Sequence, residues 1–298
     1  MQISFRSMTP QKYKIFFKSK KNNFFYYIIF FFSYFCEILN VKNYIMKSNI
    51  VLGIDIGGSG IKGALVDVKK GTMTTERHRI PTPEESTPEA VVIIINEIAK
   101  HFKWKGPIGI GFPGVMQHGV VKTAANVDNG WLNVNLEELL EDYSGNKCAA
   151  INDADAAGLA EMKYGAGKKN KDVVIMLTIG TGIGCALFTK GKLVPNCEWG
   201  HICLPGDIED AEKWASDAAR KKFDLTWEQW TQRLKAYINY IEEMFWPDLI
   251  IIGGGFTKKL DKKGGFPFET RTPIVPASLK NEAGIIGAAV AAKKLLKN

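Results

Sequence analysis

The sequence predicts an α/β protein whose two similar halves face each other across a cleft. The same unit, a strand followed by a glycine turn and a second strand, is written twice, as IDIGGSGIKGALVD from Ile54 and as LTIGTGIGCALFTK from Leu177. A third glycine turn follows a strand near the end of the chain, and helical spacing alternates with strands between the turns. A repeated unit indicates a duplicated domain more specifically than either copy does alone. At 298 residues the chain is long enough for two such domains.

The first copy reads LGIDIGGSGIKGALVD over residues 52–67. Its glycines permit the positive φ angles of a tight turn and let backbone N–H groups approach an anion closely. Asp55 stands at the end of the first strand, where a carboxylate can face a metal ion beside that anion. Taken alone, the stretch fits a phosphate-binding hairpin and an ordinary glycine-rich hairpin equally well.

The other elements follow from hydrophobic spacing and turn residues. Strands are predicted at 50–55, 63–68, 73–80, 107–112, 149–152, 173–177, 186–188, 248–252 and 272–275. Helices are predicted at 88–102, 153–162, 209–222, 226–245 and 283–296. We expect an N-terminal α/β domain over 49–151 and a C-terminal one over 152–298, with the last helix packing back on the first domain.

The first 48 residues differ from the rest in composition. They hold eight basic residues and one acid, Glu37, and so account for +7 of the formal net charge of +8. The body is therefore close to neutral, which argues against a nucleic-acid-binding face. The apolar run over residues 24–36 is shorter than the ~20 residues that a membrane-spanning helix needs. We expect a leader that the catalytic fold does not need, and a membrane tether through residues 24–39 is the alternative.

The cysteines give no sign of a disulfide framework. All five lie mostly in apolar surroundings and form no CxxC pair: Cys36, Cys148, Cys185, Cys197 and Cys203. An odd number of such cysteines is typical of free thiols in a reducing compartment. We therefore expect a cytoplasmic protein whose catalytic body does not bind a membrane.

Eight motifs, in order along residues 50–290, resemble those of the ROK sugar kinases, which belong to the actin and hexokinase superfamily. They are LGIDIGGSGIKGALVD, GIGFPGV (109–115), TAANVD (123–128), NDADAAGLAE (152–161), IGTGIG (179–184), LVPNCEWGH (193–201), IIGGG (251–255) and VPASLKNEAGIIGAA (275–289). No single glycine turn is specific, but the ordered set is. The resemblance implies duplicated ribonuclease H-like α/β domains facing across a cleft, and phosphoryl transfer to a sugar.

The resemblance also assigns the sugar side of the site. It places the catalytic base at Asp153, where a strand gives way to a helix whose N-terminus favours an ionised carboxylate. A helix-capping role alone is the other interpretation of Asp153. Sugar contacts are implied at Gly114, Asn126, Asn152, Glu198, His201 and Glu212. Glu198 and His201, three residues apart, can grip neighbouring hydroxyls through charge-assisted hydrogen bonds.

The glycine turns are expected to bind the phosphoryl donor, with Mg²⁺ as cofactor and Asp55 as its ligand. The donor residues are Asp55, Gly57, Gly58, Ser59, Gly60, Lys62, Gly180, Thr181, Gly182, Gly253, Gly254, Gly255, Lys258 and Lys259. A polyphosphate donor needs further cations, and we favour Lys258 and Lys259 for their place after the third turn. Other basic clusters are Lys168, Lys169 and Lys171, Arg220 to Lys222, and Lys262 with Lys263, each equally typical of a solvated surface.

One departure from the family pattern concerns zinc. Many ROK kinases carry three closely spaced cysteines after the histidine, whereas only Cys203 follows His201 here. Four soft ligands cannot be assembled from this stretch, so we expect no structural zinc. In this the chain resembles the polyphosphate-using branch of the family.

The expected reaction is transfer of a phosphoryl group from inorganic polyphosphate to the 6-hydroxyl of glucose, with ATP left open as a second donor. The alternatives are a strictly ATP-dependent ROK hexokinase or amino-sugar kinase, and a non-catalytic sugar sensor. Residues 1–48 lack the helix-turn-helix pattern of ROK regulators, which disfavours a sensor. A homodimer is expected because dimers are common in the family. The choice among glucose, mannose and glucosamine stays open.

Overall fold

A computed structural model describes residues 49–125, 127–263 and 265–297 of the chain. The predicted leader and tether, Cys36 and the predicted sugar ligand Asn126 lie outside the described residues. Within those ranges no helix combines the length and apolar character needed to cross a membrane. The described residues belong to one compact unit.

The described residues form thirteen strands. In chain order they are β1 (Ile50–Gly57), β2 (Gly60–Asp67), β3 (Thr72–Met73), β4 (His78–Ile80), β5 (Ile108–Phe112), β6 (Met116–Gln117), β7 (Val120–Val121), β8 (Cys148–Asn152), β9 (Val174–Ile179), β10 (Ile183–Thr189), β11 (Lys192–Val194), β12 (Leu249–Gly253) and β13 (Ile274–Pro276). One sheet has the order β3-β2-β1-β5-β8, with β4 also on β2, and a second has the order β11-β10-β9-β12-β13. Strands β6 and β7 form a separate hairpin.

The two sheets repeat one topology, which confirms the duplicated α/β fold. In the first, β1 pairs antiparallel with β2 and parallel with β5, and β5 pairs parallel with β8. In the second, β9 pairs antiparallel with β10 and parallel with β12, and β12 pairs parallel with β13. The carboxyl ends of parallel strands share one edge of each sheet, where α/β proteins bind their ligands. All three glycine turns lie at such ends.

Eight α-helices cover these sheets within the described part of the chain. They are α1 (Pro88–His101), α2 (Leu136–Ser144), α3 (Asp153–Tyr164), α4 (Ala211–Ala215), α5 (Asp217–Lys222), α6 (Trp227–Phe245), α7 (Gly255–Lys263) and α8 (Ala283–Ala291). Helices α1 and α2 bury their apolar residues against the first sheet, and α4, α6 and α7 bury theirs against the second. A third cluster of buried residues joins both sheets through α3 and α8.

The structure differs from the predicted elements at three places. The strand predicted at 73–80 is two short strands, because Thr74 and Thr75 bond to Leu65 and the chain turns between β3 and β4. The helix predicted at 209–222 breaks at Ser216, whose side chain accepts the Ala219 N–H and begins α5. The last helix ends at Ala291 and continues as a 3-10 helix. Helices α2 and α7 and the β6–β7 hairpin had no prediction.

Helices α3 and α8 approach each other as closely as their backbones allow. Helix α3 is rich in alanine, and α8 places Gly287 against it. A Cβ added to Gly287 would overlap the carbonyl oxygen of Ala156. Gly109 of β5 meets the Ala288 carbonyl of α8 in the same way, so α8 also lies directly on the first sheet. Small residues thus set the spacing between the two sheets.

We expect Gly287→Ala to lower the free energy of unfolding by about 3 kcal/mol, the upper end of the usual cost of overpacking a core. The added methyl meets backbone, which cannot swing aside as a side chain does. Urea denaturation measures the change. Gly255→Ala is the matched control, because nothing lies within 4 Å of its added Cβ. Equal stability of the two variants would contradict the packing argument.

Candidate active site

A cavity of about 400 Å³ receives residues from both sheets and the helices between them. Asp55 and Lys62 enter it from the β1–β2 hairpin, Asp153 from the start of α3, and Thr178 from β9. The third glycine turn contributes Gly253 and Gly254, and the loop before α8 contributes Lys280 and Asn281. The predicted base and part of the predicted donor site therefore share one cavity.

Asn152 begins the helix that carries Asp153. Its Oδ1 accepts the backbone N–H groups of Ala154 (2.9 Å) and Asp155 (3.1 Å), which makes Asn152 the N-cap of α3. Its Nδ2 donates to the carbonyl of Gly114 at 3.2 Å. Asp153 is the first residue of the helix proper, so capping does not account for it. The predicted sugar ligands Gly114 and Asn152 are thereby in contact beside Asp153.

The carboxyl group of Asp153 is poised between its charged and neutral forms. Its pKa is raised from 3.8 to about 7, chiefly by burial and then by the negative charges of Asp55 and Glu198, while the Ala154 N–H acts in the opposite direction. A base works best when its pKa lies near the operating pH. The raised pKa of Asp153 meets that requirement.

Glu198 and His201 stand at either end of a short 3-10 turn, Trp199–His201. His201 Nδ1 lies 3.2 Å from Asp210 Oδ2, so Nδ1 carries the proton when the ring is neutral, and Nε2 is then a free acceptor. Burial raises the pKa of Glu198, Glu212 adds to the rise, and His201 opposes it. These three predicted sugar ligands are therefore electrostatic neighbours of one another, and Glu198 is also a neighbour of Asp153.

Glu212 also holds the second glycine turn. Its Oε2 accepts the Ile183 N–H at 2.7 Å, and a Cβ on Gly182 would overlap that carboxylate. The turn itself is closed by a hydrogen bond from Gly180 N–H to the Gly182 carbonyl at 2.9 Å. Glu212 thus links the predicted sugar side to the predicted donor side.

The three glycine turns differ in how they are held. In the first, residues 57–60, Gly57 faces Gly60 across the hairpin, Thr82 Oγ1 donates to the Gly57 carbonyl at 2.5 Å, and Arg79 donates to the Ser59 carbonyl. The third turn needs glycine at Gly254, which has φ +79 and lies against the Ile179 backbone. Since Gly253 pairs with Thr178 in the sheet, the second and third turns are neighbours.

The two lysines after the third turn are not placed alike. The Lys259 ammonium pairs with Asp217, which also binds Arg220 and Lys221, whereas Lys258 is exposed on α7. Asp217 in turn donates its N–H to the Gly180 carbonyl. Neither lysine lines the cavity that holds Asp153.

A partly buried, hydrogen-bonded cluster fixes the loop that leads to Glu198. Asn196 accepts the Met116 N–H at 3.0 Å and donates to the Met116 carbonyl at 2.9 Å. Its own N–H donates to Asp155 Oδ2 at 2.9 Å, whereas Oδ1 of this buried carboxyl group has no partner among the described residues. Burial raises the pKa of Asp155 to about 7. The loop from the second sheet is thus bonded to α3 and to the β6–β7 hairpin.

Sequence reasoning missed several of these residues. Arg77, Thr178, Lys280 and Asn281 line the cavity, and Asp155, Asn196 and Asp210 support the sugar side. Lys280 and Asn281 lie inside the family-like motif VPASLKNEAGIIGAA, and Asp155 lies inside NDADAAGLAE. Membership of these motifs was the sequence signal that could have indicated them. Over the described ranges no cluster of three or more His, Cys, Asp or Glu residues is arranged to hold a metal ion.

The family profile of the ROK family matches residues 51–220 of this sequence. The chain belongs to the ROK family. Polyphosphate glucokinase of Mycobacterium tuberculosis (strain ATCC 25177 / H37Ra) is 47% identical to this ROK protein over 240 residues, 80% of this chain and 89% of that one. Polyphosphate glucokinase of Mycobacterium leprae (strain TN) is 44% identical over 241 residues, 80% of this chain and 73% of that one.

A solved structure agrees with both the fold and the sequence comparison. The inorganic polyphosphate/ATP-glucomannokinase from Arthrobacter sp. strain KM matches with a TM-score of 0.77 and 47% identity. The match covers 82% of this ROK protein and 98% of that chain.

We expect Asp153→Asn to lower kcat by about 10³-fold, because the amide cannot accept the hydroxyl proton. In the unchanged protein, kcat/KM should fall as the pH drops through about 7, since protonation removes the base. The variant's residual rate should not follow that profile. Retained activity would contradict the assignment of the base.

Thermal unfolding provides the control for folding of this variant. A carboxyl group whose pKa is raised on folding destabilises the native state as the pH rises from about 4 to 7. Asp153→Asn should therefore raise Tm more at pH 8 than at pH 5.

Asn196→Gly should raise the KM for the sugar about tenfold, because the loop before Glu198 loses its two side-chain bonds to Met116. Glycine accepts the left-handed backbone at this position, φ +61, so the effect is not one of strain. Asn133→Gly is the matched control, since Asn133 has φ +66 and its side chain accepts a hydrogen bond from the exposed Lys122. Equal KM values for both variants would contradict a positioning role for Asn196.

Proposed function

We propose that this ROK protein transfers the terminal phosphoryl group of inorganic polyphosphate to the 6-hydroxyl of glucose. The observation that carries the proposal is the cavity in which Asp153 and the cations Lys62, Arg77 and Lys280 meet. A carboxylate base and several cations in one cavity suit a neutral nucleophile and a polyanionic donor. The identity of 44–47% to polyphosphate glucokinases over 80% of the chain supports the same reaction.

The reaction balances with these groups. The O6 oxygen of glucose attacks the terminal phosphorus, and its proton passes to the Asp153 carboxylate. The bond from that phosphorus to the bridging oxygen breaks, and the electron pair stays on the oxygen of the shortened polyphosphate. The products are glucose 6-phosphate and a polyphosphate one unit shorter. Asn152, Glu198 and His201 are proposed to hold the sugar so that O6 faces Asp153.

Orientation is the main contribution proposed for the sugar ligands. A neutral Nε2 on His201 and a carboxylate on Glu198 are acceptors, so they select hydroxyl donors on the sugar. Glu212 is proposed to contact the sugar through Oε1, since Oε2 is engaged with Ile183. Asn126 and Gly114 are proposed as further contacts. Holding O6 in line with the donor phosphorus removes much of the entropic cost of the reaction.

The residues present fit a Mg²⁺ ion. Mg²⁺ is usually bound by one or two carboxylates together with waters and substrate phosphates, and Asp55 and Asp153 both line the cavity. We propose Asp55 as the ligand of this chain. When bound, the ion neutralises charge on the phosphates. The Lys62 ammonium donates to the Asp55 carboxylate at 3.2 Å and holds it in place.

A second donor is proposed on a specific observation. The Arthrobacter protein is named as a polyphosphate/ATP-glucomannokinase, and its match to this chain covers 98% of the Arthrobacter chain. The glycine turns suit the phosphates of ATP as well as those of polyphosphate. ATP is therefore proposed as an additional donor and mannose as an additional acceptor. The homodimer and the cytoplasmic location stay predictions.

We expect the full chain to form glucose 6-phosphate from glucose and polyphosphate with Mg²⁺, with a kcat/KM for polyphosphate at least tenfold above that for ATP. A coupled dehydrogenase assay with each donor in turn measures this. Asp153→Asn is the negative control for contaminating kinases. Turnover with ATP alone would overturn the assignment of polyphosphate and support an ATP-dependent ROK hexokinase.

A further inference from the structure

Three cations enter the cavity from three different elements. Lys62 comes from β2, Arg77 from the residue before β4, and Lys280 from the loop between β13 and α8. Lys62 is paired with Asp55 at 3.2 Å. Arg77 and Lys280 are exposed residues that nevertheless line the cavity holding Asp153. They add positive charge to the lining of this cavity.

The pairing of β4 with β2 brings the segment that carries Arg77 beside Lys62. Asp55 lies opposite Lys62, and Lys62 lies opposite Arg79, so the three side chains form one row on one face of the first sheet. Arg79 turns to the Ser59 carbonyl and fixes the first glycine turn. Arg77, which immediately precedes β4, lines the cavity.

The loop of Lys280 is tied to the catalytic helix. Glu161, fully buried on α3, accepts the Leu279 N–H at 2.6 Å through Oε1 and the Ala166 N–H at 2.8 Å through Oε2. The helix that begins at Asp153 therefore holds the backbone next to Lys280. Lys280 itself has φ +49, so its direction is set by an uncommon backbone conformation. The position of this cation relative to Asp153 is built into the fold.

Polyphosphate and a nucleoside triphosphate differ in how far their negative charge extends. A nucleoside triphosphate ends in an uncharged nucleoside after its third phosphate, whereas polyphosphate carries a charge on every unit. Cations that lie beyond the reacting phosphates therefore strengthen the binding of polyphosphate more than the binding of a nucleotide. Lys258 and Lys259, which the sequence favoured for this role, lie outside the cavity.

We propose that Arg77 and Lys280 bind the phosphates of the polyphosphate chain beyond the one transferred, and so favour long polyphosphate over short donors. The inference rests on the proposed function and names the residues that recognise its donor. It follows from the placement of both cations around one cavity and from the anchoring of their backbones by β4 and by Glu161.

The test compares Arg77→Gln and Lys280→Gln with the unchanged full chain. The KM for long-chain polyphosphate should rise about tenfold in each variant and further in the double variant, with less than a twofold change in the KM for glucose. The KM for tripolyphosphate and for ATP should rise threefold or less. Raising the ionic strength should weaken the binding of long-chain polyphosphate less in the double variant than in the unchanged protein. The double variant has two fewer cations whose attraction salt can screen.

Matched variants keep the result interpretable. Lys100→Gln removes one exposed charge in the last turn of α1 and should leave every KM unchanged. Arg77→Lys keeps the charge and should retain most of the long-chain affinity, whereas a structural role of the guanidinium would leave Lys as poor as Gln. Thermal unfolding checks that each variant folds.

Two outcomes would overturn the inference. Equal rises for long polyphosphate, tripolyphosphate and ATP would mean that the cations serve only the reacting phosphates. Unchanged KM values in both variants would mean that they do not bind the donor. Failure of the proposed function is separate, because it appears as a lack of polyphosphate turnover in the unchanged protein.

Discussion

The contact between helices α3 and α8 is the constraint on which the rest of the structure depends. Gly287 brings the α8 backbone against the Ala156 carbonyl of α3, and Gly109 brings the first sheet against the Ala288 carbonyl of α8. Buried residues of both sheets meet on this pair. Because α3 begins at Asp153, the same contact sets the position of the proposed base relative to the strand ends. Packing and chemistry are thus fixed by one set of small residues.

The polar part of the site is organised by backbone groups as much as by side chains. Asn152 caps α3, Glu212 holds the second turn and Glu161 holds the loop before α8, each through N–H groups. Such bonds leave the turns little freedom. Preorganised donors and charges are the usual source of rate enhancement in phosphoryl transfer, because they do not have to reorient during the reaction.

The sequence predicted the repeated sheet and the place of Asp153 well, for a physical reason. A glycine turn after a buried strand has few structural interpretations once it recurs, and the structure bears out both copies. Arg77 could not be found in this way, because only the pairing of β4 with β2 brings it to the cavity. Lys280 owes its place to Glu161, which accepts the N–H of the adjacent Leu279 across 118 positions of the chain. Asp155 appeared only as one letter of a motif, since its partner Asn196 is distant in sequence.

The bonds of Asn196 have a consequence for the origin of the proposed sugar site. The loop bearing Glu198 and His201 leaves the second sheet after β11, yet Asn196 bonds it to Met116 and to Asp155 of α3. Two of the proposed sugar ligands are therefore positioned by the helix that carries the proposed base, although they follow a strand of the other half of the chain. A duplicated fold thus gains one common reference for its acceptor site.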